Sequence, residues 1–221
     1  DVGSVLVTPH IVDGEDVGVI EGGDGAGVRG AARTRARTTL EGRCVGVVHD
    51  GARVATQHDQ LGEAVEHVVL ALGDANVEAG LDAAIAHGAR AATIFTGLFL
   101  EDDDEPLLRD RIARKIEDAG LLVCGANGMG FYNFSDGVWI CGFDTRDNHL
   151  RGGNVTLISH SGAGMSGIVD CEERIDFNLA VSTGQELSVS MDQYMDWALD
   201  RSETRVIGLF METARNPAGL I

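Results

Sequence analysis

The chain has 221 residues, 44% hydrophobic and 24% charged, the balance of a soluble globular protein with one large domain or two small ones. Its 17 basic and 35 acidic residues leave a net charge of −18, which repels a phosphate backbone and argues against a nucleic-acid partner. No run of about 18 uninterrupted apolar residues exists, so no membrane span is expected.

Asp1 stands where Met would open a complete chain, and no signal-peptide pattern follows, so the sequence is expected to begin inside a longer one. Lys115 is the only lysine, a bias shared by salt-adapted and GC-rich genomes. Cys44, Cys124, Cys141 and Cys171 have no CxxC spacing and read as reduced core thiols of a cytoplasmic protein. No histidine pair has metal-ligand spacing on one element, so no metal site is expected.

In chain order, short β-rich runs alternate with helical patterns. The runs are Asp16–Ile20, Cys44–His49, His67–Leu72, Ala91–Phe95 and Leu121–Cys124; the helical patterns are Val28–Leu40, Asn76–His87 and Glu105–Ala119. Near-continuous apolar strands between helices predict a parallel sheet covered on both faces, a Rossmann-like domain over residues 1–135. Residues 136–153 read as a connection, part of an aromatic, Gly- and Asp-rich break at Phe131–Gly153 whose Tyr132 and Trp139 are candidates for an acyl or subunit contact. A second series follows over residues 154–221: strand Asn154–Ser159, helix Gly164–Glu173, strand Asn178–Ser182, helix Ser188–Asp200 and strand Arg205–Met211. That is half of a doubly wound domain.

Three glycine turns lie at strand ends. The first, Gly22–Gly30, precedes a predicted helix, where glycine lets the backbone approach a phosphate that the helix N-terminus stabilises. Gly25, Gly27 and Gly30 also fit GxGxxG, with Asp50 about 20 residues on where a dinucleotide ribose wants a carboxylate. The same turn without a ligand is the plain alternative. The second, Ser159–Gly164, suits a phosphoryl group or a simple N-cap by Ser161; the strict GxSxG elbow is absent. In the third, Gly125–Gly130, Asn127 either donates to a substrate carbonyl or adopts a left-handed turn. Glu101–Glu105 reads as a solvated helix start.

Four ordered segments carry a resemblance. Gly125–Asn133 resembles the GPNCxGxxN turn of ADP-forming acyl-CoA synthetases and the succinyl-CoA synthetase alpha subunit, and Asn154–Ala163 resembles their GxVxLISQSG segment. Ala180–Gly184 and Glu203–Glu212 are similar to two further motifs of that family, in the same order. The resemblance implies a CoA-binding Rossmann domain followed by a partial flavodoxin-like ligase domain. It also implies formation of an acyl-CoA from a carboxylic acid through a phosphohistidine. ATP/ADP and Mg2+ would bind a partner ATP-grasp domain or subunit, in a homo- or hetero-oligomer.

By position, Gly22, Gly23, Asp24 and Gly25 would cradle coenzyme A, with Gly73, Thr96 and Gly97 on the next contacting loops. Ser161 and Gly162 match the helix start that receives the phosphohistidine, Glu212 the carboxylate that orients it, and Asn127 the substrate turn. The family's histidine lies beyond Glu212, outside this sequence. His160 stands where the family usually has Gln or Arg and reads as a solvent-exposed loop histidine. Departures include Ala126 and Gly128 for Pro and Cys, His49–Ala52 for Pro-Val-Asn-Pro, and Asp74, whose charge opposes CoA. Two other classes remain: an NAD-dependent oxidoreductase using GxGxxG, and a non-catalytic CoA-binding module.

Overall fold

A computed structural model describes residues 35–37, 44–49, 65–143, 152–171 and 174–221. The run Asp16–Ile20, the loop Gly22–Gly30 and Asp50 lie outside these residues. Four strands, β2 (Cys44–His49), β3 (Val65–Ala71), β4 (Ala91–Ile94) and β5 (Leu122–Gly125), pair in parallel in that order. Helices α1 (Asp74–Ala86) and α2 (Leu108–Ala119) connect β3 to β4 and β4 to β5. This is the predicted parallel sheet.

The helices form where apolar spacing and end signals agree. In α2, Leu108, Ile112 and Ile116 are buried at four-residue spacing, and Gly120 closes the helix in a left-handed conformation with φ 61°. The predicted start at Glu105 moves to Leu108, whose N–H donates to Asp103 Oδ2 at 2.6 Å. That bond, with Arg111 beside it at 3.0 Å, holds the Asp103 carboxyl below its usual range. Part of the acidic run is therefore a cap. Leu70, Leu81, Ile94, Ile112 and Val123 fill the layer between sheet and helices.

A second sheet has the order β1-β7-β6-β9-β8-β10. Its strands are β1 (Arg35–Arg37), β6 (Gly130–Asn133), β7 (Val138–Cys141), β8 (Val155–Ser159), β9 (Phe177–Ser182) and β10 (Val206–Phe210). β9, β8 and β10 are parallel, whereas β6 runs antiparallel to β9, and β7 to both β6 and β1. Helices α3 (Gly162–Cys171) and α4 (Met191–Leu199) link β8 to β9 and β9 to β10. The predicted second series is present in full.

Two expectations are corrected. Residues 35–37, read as helix within Val28–Leu40, form a strand on β7. The break at Phe131–Gly153 supplies β6 and β7, inside the second sheet. The reason is the two-residue period of a strand: Phe131 packs with Ile158, Val181 and Tyr194 on one face, while Tyr132 packs with Leu157, Met165 and Phe177 on the other. Tyr132 and Phe134 stack at 5.4 Å, and Trp139 meets Tyr132 edge-on at 6.0 Å. With Tyr132 at 2% exposure, this ring is core and not an acyl contact. Val69 and Cys124 of the first sheet join the Phe131 cluster, so the two sheets share one core. Burial pushes the Cys124 thiol up to about 12, which leaves it protonated and unreactive.

His67, on β3, bonds Thr93 through Nε2 at 3.0 Å and meets the edge of Phe131. Desolvation lowers its pKa from 6.5 to about 4. A base lowered in the folded state binds fewer protons folded than unfolded. Its contribution to stability is intact above pH 6.5 and is lost as pH falls from 6.5 towards 4, by about 3 kcal/mol. His67→Gln should therefore flatten that limb of a urea-denaturation series. An unchanged slope would show that the ring is solvated.

Candidate functional site

The parallel strands β8, β9 and β10 end side by side, and the turns after β8 and β10 carry Ser161, Gly162 and Glu212. The C-terminal edge of such a sheet is where ligands meet open turns and helix N-termini. Ser161 caps α3: its Oγ accepts from Gly164 N–H at 3.0 Å, and its carbonyl accepts from Met165 N–H at 3.0 Å. Ser159 Oγ in turn accepts from Ser161 N–H at 3.1 Å. Gly162 sits against Met129, whose Cγ lies 2.3 Å from where a Cβ would be, so this helix start admits no side chain.

The Asn127 turn packs onto the same edge. Asn127 has φ 53°, is exposed, and donates its N–H to Thr96 carbonyl at 2.8 Å. The left-handed turn reading holds, and its side chain is left free to face solvent or a ligand. Behind it, Gln185 N–H donates to Ala126 carbonyl at 2.7 Å and Leu187 N–H to Gly125 carbonyl at 3.1 Å. Asn127, Gly162 and the 182–187 turn are thus neighbours, although 60 residues of sequence separate the outer pair, as residue numbers 127 and 187 show.

Beneath these turns lies a buried cluster. His160 is 5% exposed, so the expectation of a solvent-exposed loop histidine is wrong. Its Nε2 lies 2.8 Å from Glu186 Oε1, and its Nδ1 accepts from Glu212 N–H at 3.0 Å. Glu186 Oε1 also accepts from Thr183 Oγ1 at 2.9 Å and from Met191 N–H at 3.1 Å, while Oε2 faces Arg215 Nη1 at 3.4 Å. Glu186 was not found from sequence, because a lone loop Glu carries only a solvated-surface signal. Its left-handed backbone, φ 54°, after Gly184 turns it back under the strand ends. Glu212 itself is exposed; its backbone, not its carboxylate, meets a histidine of this chain.

The first sheet brings its own predicted residues together. Gly73 precedes α1, and Thr96 and Gly97 follow β4, at the C-terminal edge of the sheet. Thr96 Oγ1 donates to Asp74 Oδ1, which also accepts from Phe99 N–H at 3.1 Å. Gly97 carbonyl accepts from Gln185 Nε2 at 2.8 Å, tying this loop to the second sheet. The donors that an anion would use here already serve a carboxylate, so a phosphate group does not fit at Thr96. Gly22, Gly23, Asp24 and Gly25 lie outside the described residues. Among the described residues no group of three His, Cys, Asp or Glu could hold a metal ion, and no helix is long and apolar enough to cross a membrane.

Residues 152–221 match the model of the succinyl-CoA ligase like flavodoxin domain. A trans-feruloyl-CoA synthase from an unknown prokaryotic organism is 25% identical over 177 residues, 77% of this chain and 25% of that protein. Among solved structures, PH0766 from Pyrococcus horikoshii OT3 has a TM-score of 0.63 at 23% identity, covering 76% of this chain and 38% of its own. The dinucleotide forming acetyl-coenzyme A synthetase 1 of Ca. Korarchaeum cryptofilum, in complex with phosphate and ADP, has a TM-score of 0.61 at 21% identity, covering 77% and 37%. The ATP citrate lyase of Methanothrix soehngenii, in complex with citrate and coenzyme A, follows at 0.52 and 13%, covering 69% and 25%. The chain thus spans a quarter of the curated relative and under two-fifths of these structures. A Rossmann-like parallel sheet thus precedes a partial flavodoxin-like unit, and residues 152–221 are similar to the succinyl-CoA ligase like flavodoxin domain.

Proposed function

We propose that this chain is the CoA-binding part of a nucleotide-dependent, ADP-forming acid–thiol ligase that makes an acyl-CoA through a phosphohistidine. The observation that carries the reading is the convergence of Asn127, the capped α3 start at Ser161–Gly162, and the Glu212 segment on one sheet edge, in the domain that matches the family. A phosphorylated imidazole presented to the start of α3 would meet backbone N–H groups and the positive end of the helix dipole. Glu212, exposed beside it, would fix the imidazole tautomer. Phosphorylation turns a poor carboxylate electrophile into an acyl phosphate that the CoA thiol can attack, and the site's task is positioning and charge stabilisation.

In this reading Gly22–Gly25 take the CoA phosphates. Gly73, Thr96 and Gly97 take an uncharged stretch of the ligand, because Asp74 repels an anion there. ATP, ADP and Mg2+ belong to an ATP-grasp partner, as a domain or subunit of an oligomer in the cytoplasm. The phosphohistidine comes from sequence beyond Glu212.

Trp139 and Trp197 report the test. Fluorescence titration should show saturable quenching by CoA and none by NADH; NADH binding without CoA binding would overturn the reading in favour of an oxidoreductase. With its ATP-grasp partner, Glu212→Gln should lower kcat about 100-fold while leaving the KM for CoA unchanged. Unchanged turnover would favour a non-catalytic module.

A further inference from the structure

We infer that His160 is a positioning residue, whose imidazole stands in for a backbone carbonyl and latches the segment after β10 to the end of β8. The parallel ladder shows how. Ser159 pairs with Phe210, and His160 N–H donates to Phe210 carbonyl at 2.9 Å, the next rung. In a continuing parallel ladder the following rung would run from Glu212 N–H to the His160 carbonyl. Here Glu212 N–H donates instead to His160 Nδ1, at 3.0 Å. The β10 side of the ladder therefore continues to Glu212, while the β8 side is released to turn into α3, capped by Ser161.

This bond decides the tautomer. Nδ1 accepts, so it carries no proton; the ring proton sits on Nε2 and is donated to Glu186 Oε1 at 2.8 Å. The groups bonded to the ring come from the two neighbouring strand ends: Glu186 from the β9 turn, and Glu212 N–H from the segment after β10. Thr183 and Met191 N–H hold Glu186 from its own turn, and Arg215 faces it from beyond Glu212. Arg215 also donates to Gly184 carbonyl at 3.2 Å, so the segment is pinned at both Glu212 and Arg215. A protonated ring would set Nδ1–H against Glu212 N–H, donor against donor, and release the first pin. The side chains at 1% and 2% exposure exclude water from the exchange.

The latch rests on the proposed ligase reading only for its purpose, which is to hold Glu212 beside the start of α3. Its existence is tested without any assay of turnover. In the chain labelled with 15N-histidine, His160 should show a pyridine-type Nδ1 and a pyrrole-type Nε2 at neutral pH. An Nδ1–H tautomer or an imidazolium would overturn the proposal. Two variants divide the bonds, because Asn Oδ1 mimics Nδ1 and Gln Nε2 mimics Nε2. Amide exchange at Glu212 should accelerate about tenfold in His160→Gln and stay near wild type in His160→Asn. Equal rates in the two folded variants would overturn it, and the wild-type spectrum decides even where a variant fails to fold. In the assembled enzyme, the latch predicts a lower kcat with unchanged KM for CoA in His160→Gln and rescue in His160→Asn. Absence of any ligase activity in the wild type would defeat the ligase reading and leave the spectral and exchange results standing.

Discussion

Replacing Glu186 with Ala should destabilise the chain by about 3–5 kcal/mol, the range for removing one partner of a buried charged network. The side chain is 2% exposed and takes bonds from His160, Thr183 and Met191, with Arg215 close by. Truncation would leave the ring N–H, a hydroxyl and a helix N–H in a cavity without an acceptor, each costing about 1–3 kcal/mol until water enters. Partial exposure of Arg215, at 35%, keeps its share of the loss small. Glu186→Gln retains one carbonyl oxygen for the three donors on Oε1 and should cost about 1–2 kcal/mol. Urea denaturation of the two variants separates these values. A loss below about 1 kcal/mol for Ala would mean that the cluster is solvated, contrary to its burial.

Gly184→Ala should cost about 3–4 kcal/mol and pull the Asn127 turn away from the strand ends. Gly184 has φ +59°, and a Cβ there would lie 2.0 Å from Ala126 carbonyl oxygen and 2.9 Å from Gly128 N. Both are backbone atoms, so no side chain can swing aside. Two other glycines isolate the causes. Gly88 has φ +79° with nothing within 4 Å of an added Cβ, so Gly88→Ala should show only the conformational cost, about 1 kcal/mol. Gly167 lies within α3 and is equally open, so Gly167→Ala should stabilise by up to about 1 kcal/mol. The ordering Gly184, Gly88, Gly167 in urea midpoint is the expected result. Equal losses at Gly184 and Gly88 would show that the two turns do not pack as described.

Both variants act on a junction that is built late in the chain of causes, and this explains why part of it escaped sequence reading. Period and punctuation placed all five elements of the second series within a few residues, because β8, β9 and β10 are short apolar runs between amphipathic helices. The same logic found α1 and α2, with Gly120 closing the latter. It misplaced residues 35–37, where local preference for helix lost to pairing with β7. It also read Phe131–Gly153 as a break with a connection over residues 136–153, because aromatic and glycine-rich sequence looks like a break until both faces of a strand find a core.

The candidate site divides in the same manner. The cap at Ser161 and the left-handed turn at Asn127 were legible as local structure, because helix caps and tight turns demand particular residue types, whereas Gly162 and Glu212 were singled out by the resemblance alone. His160 and Glu186 were not legible, since the bonds of the His160 ring are not local: 26 residues separate it from Glu186 and 52 from Glu212. Sequence by itself determined the alternating strands and helices from β2 to β5 and from β8 to β10, and the residues that cap and turn them, because those depend on interactions a few residues long. Only the tertiary structure decided which turns meet, that Asp74 holds Thr96 against an anion, and that a histidine read as exposed is buried as a substitute rung between β8 and β10. Those outcomes depend on burial, and burial is a property of the packed sheets, not of any segment within them.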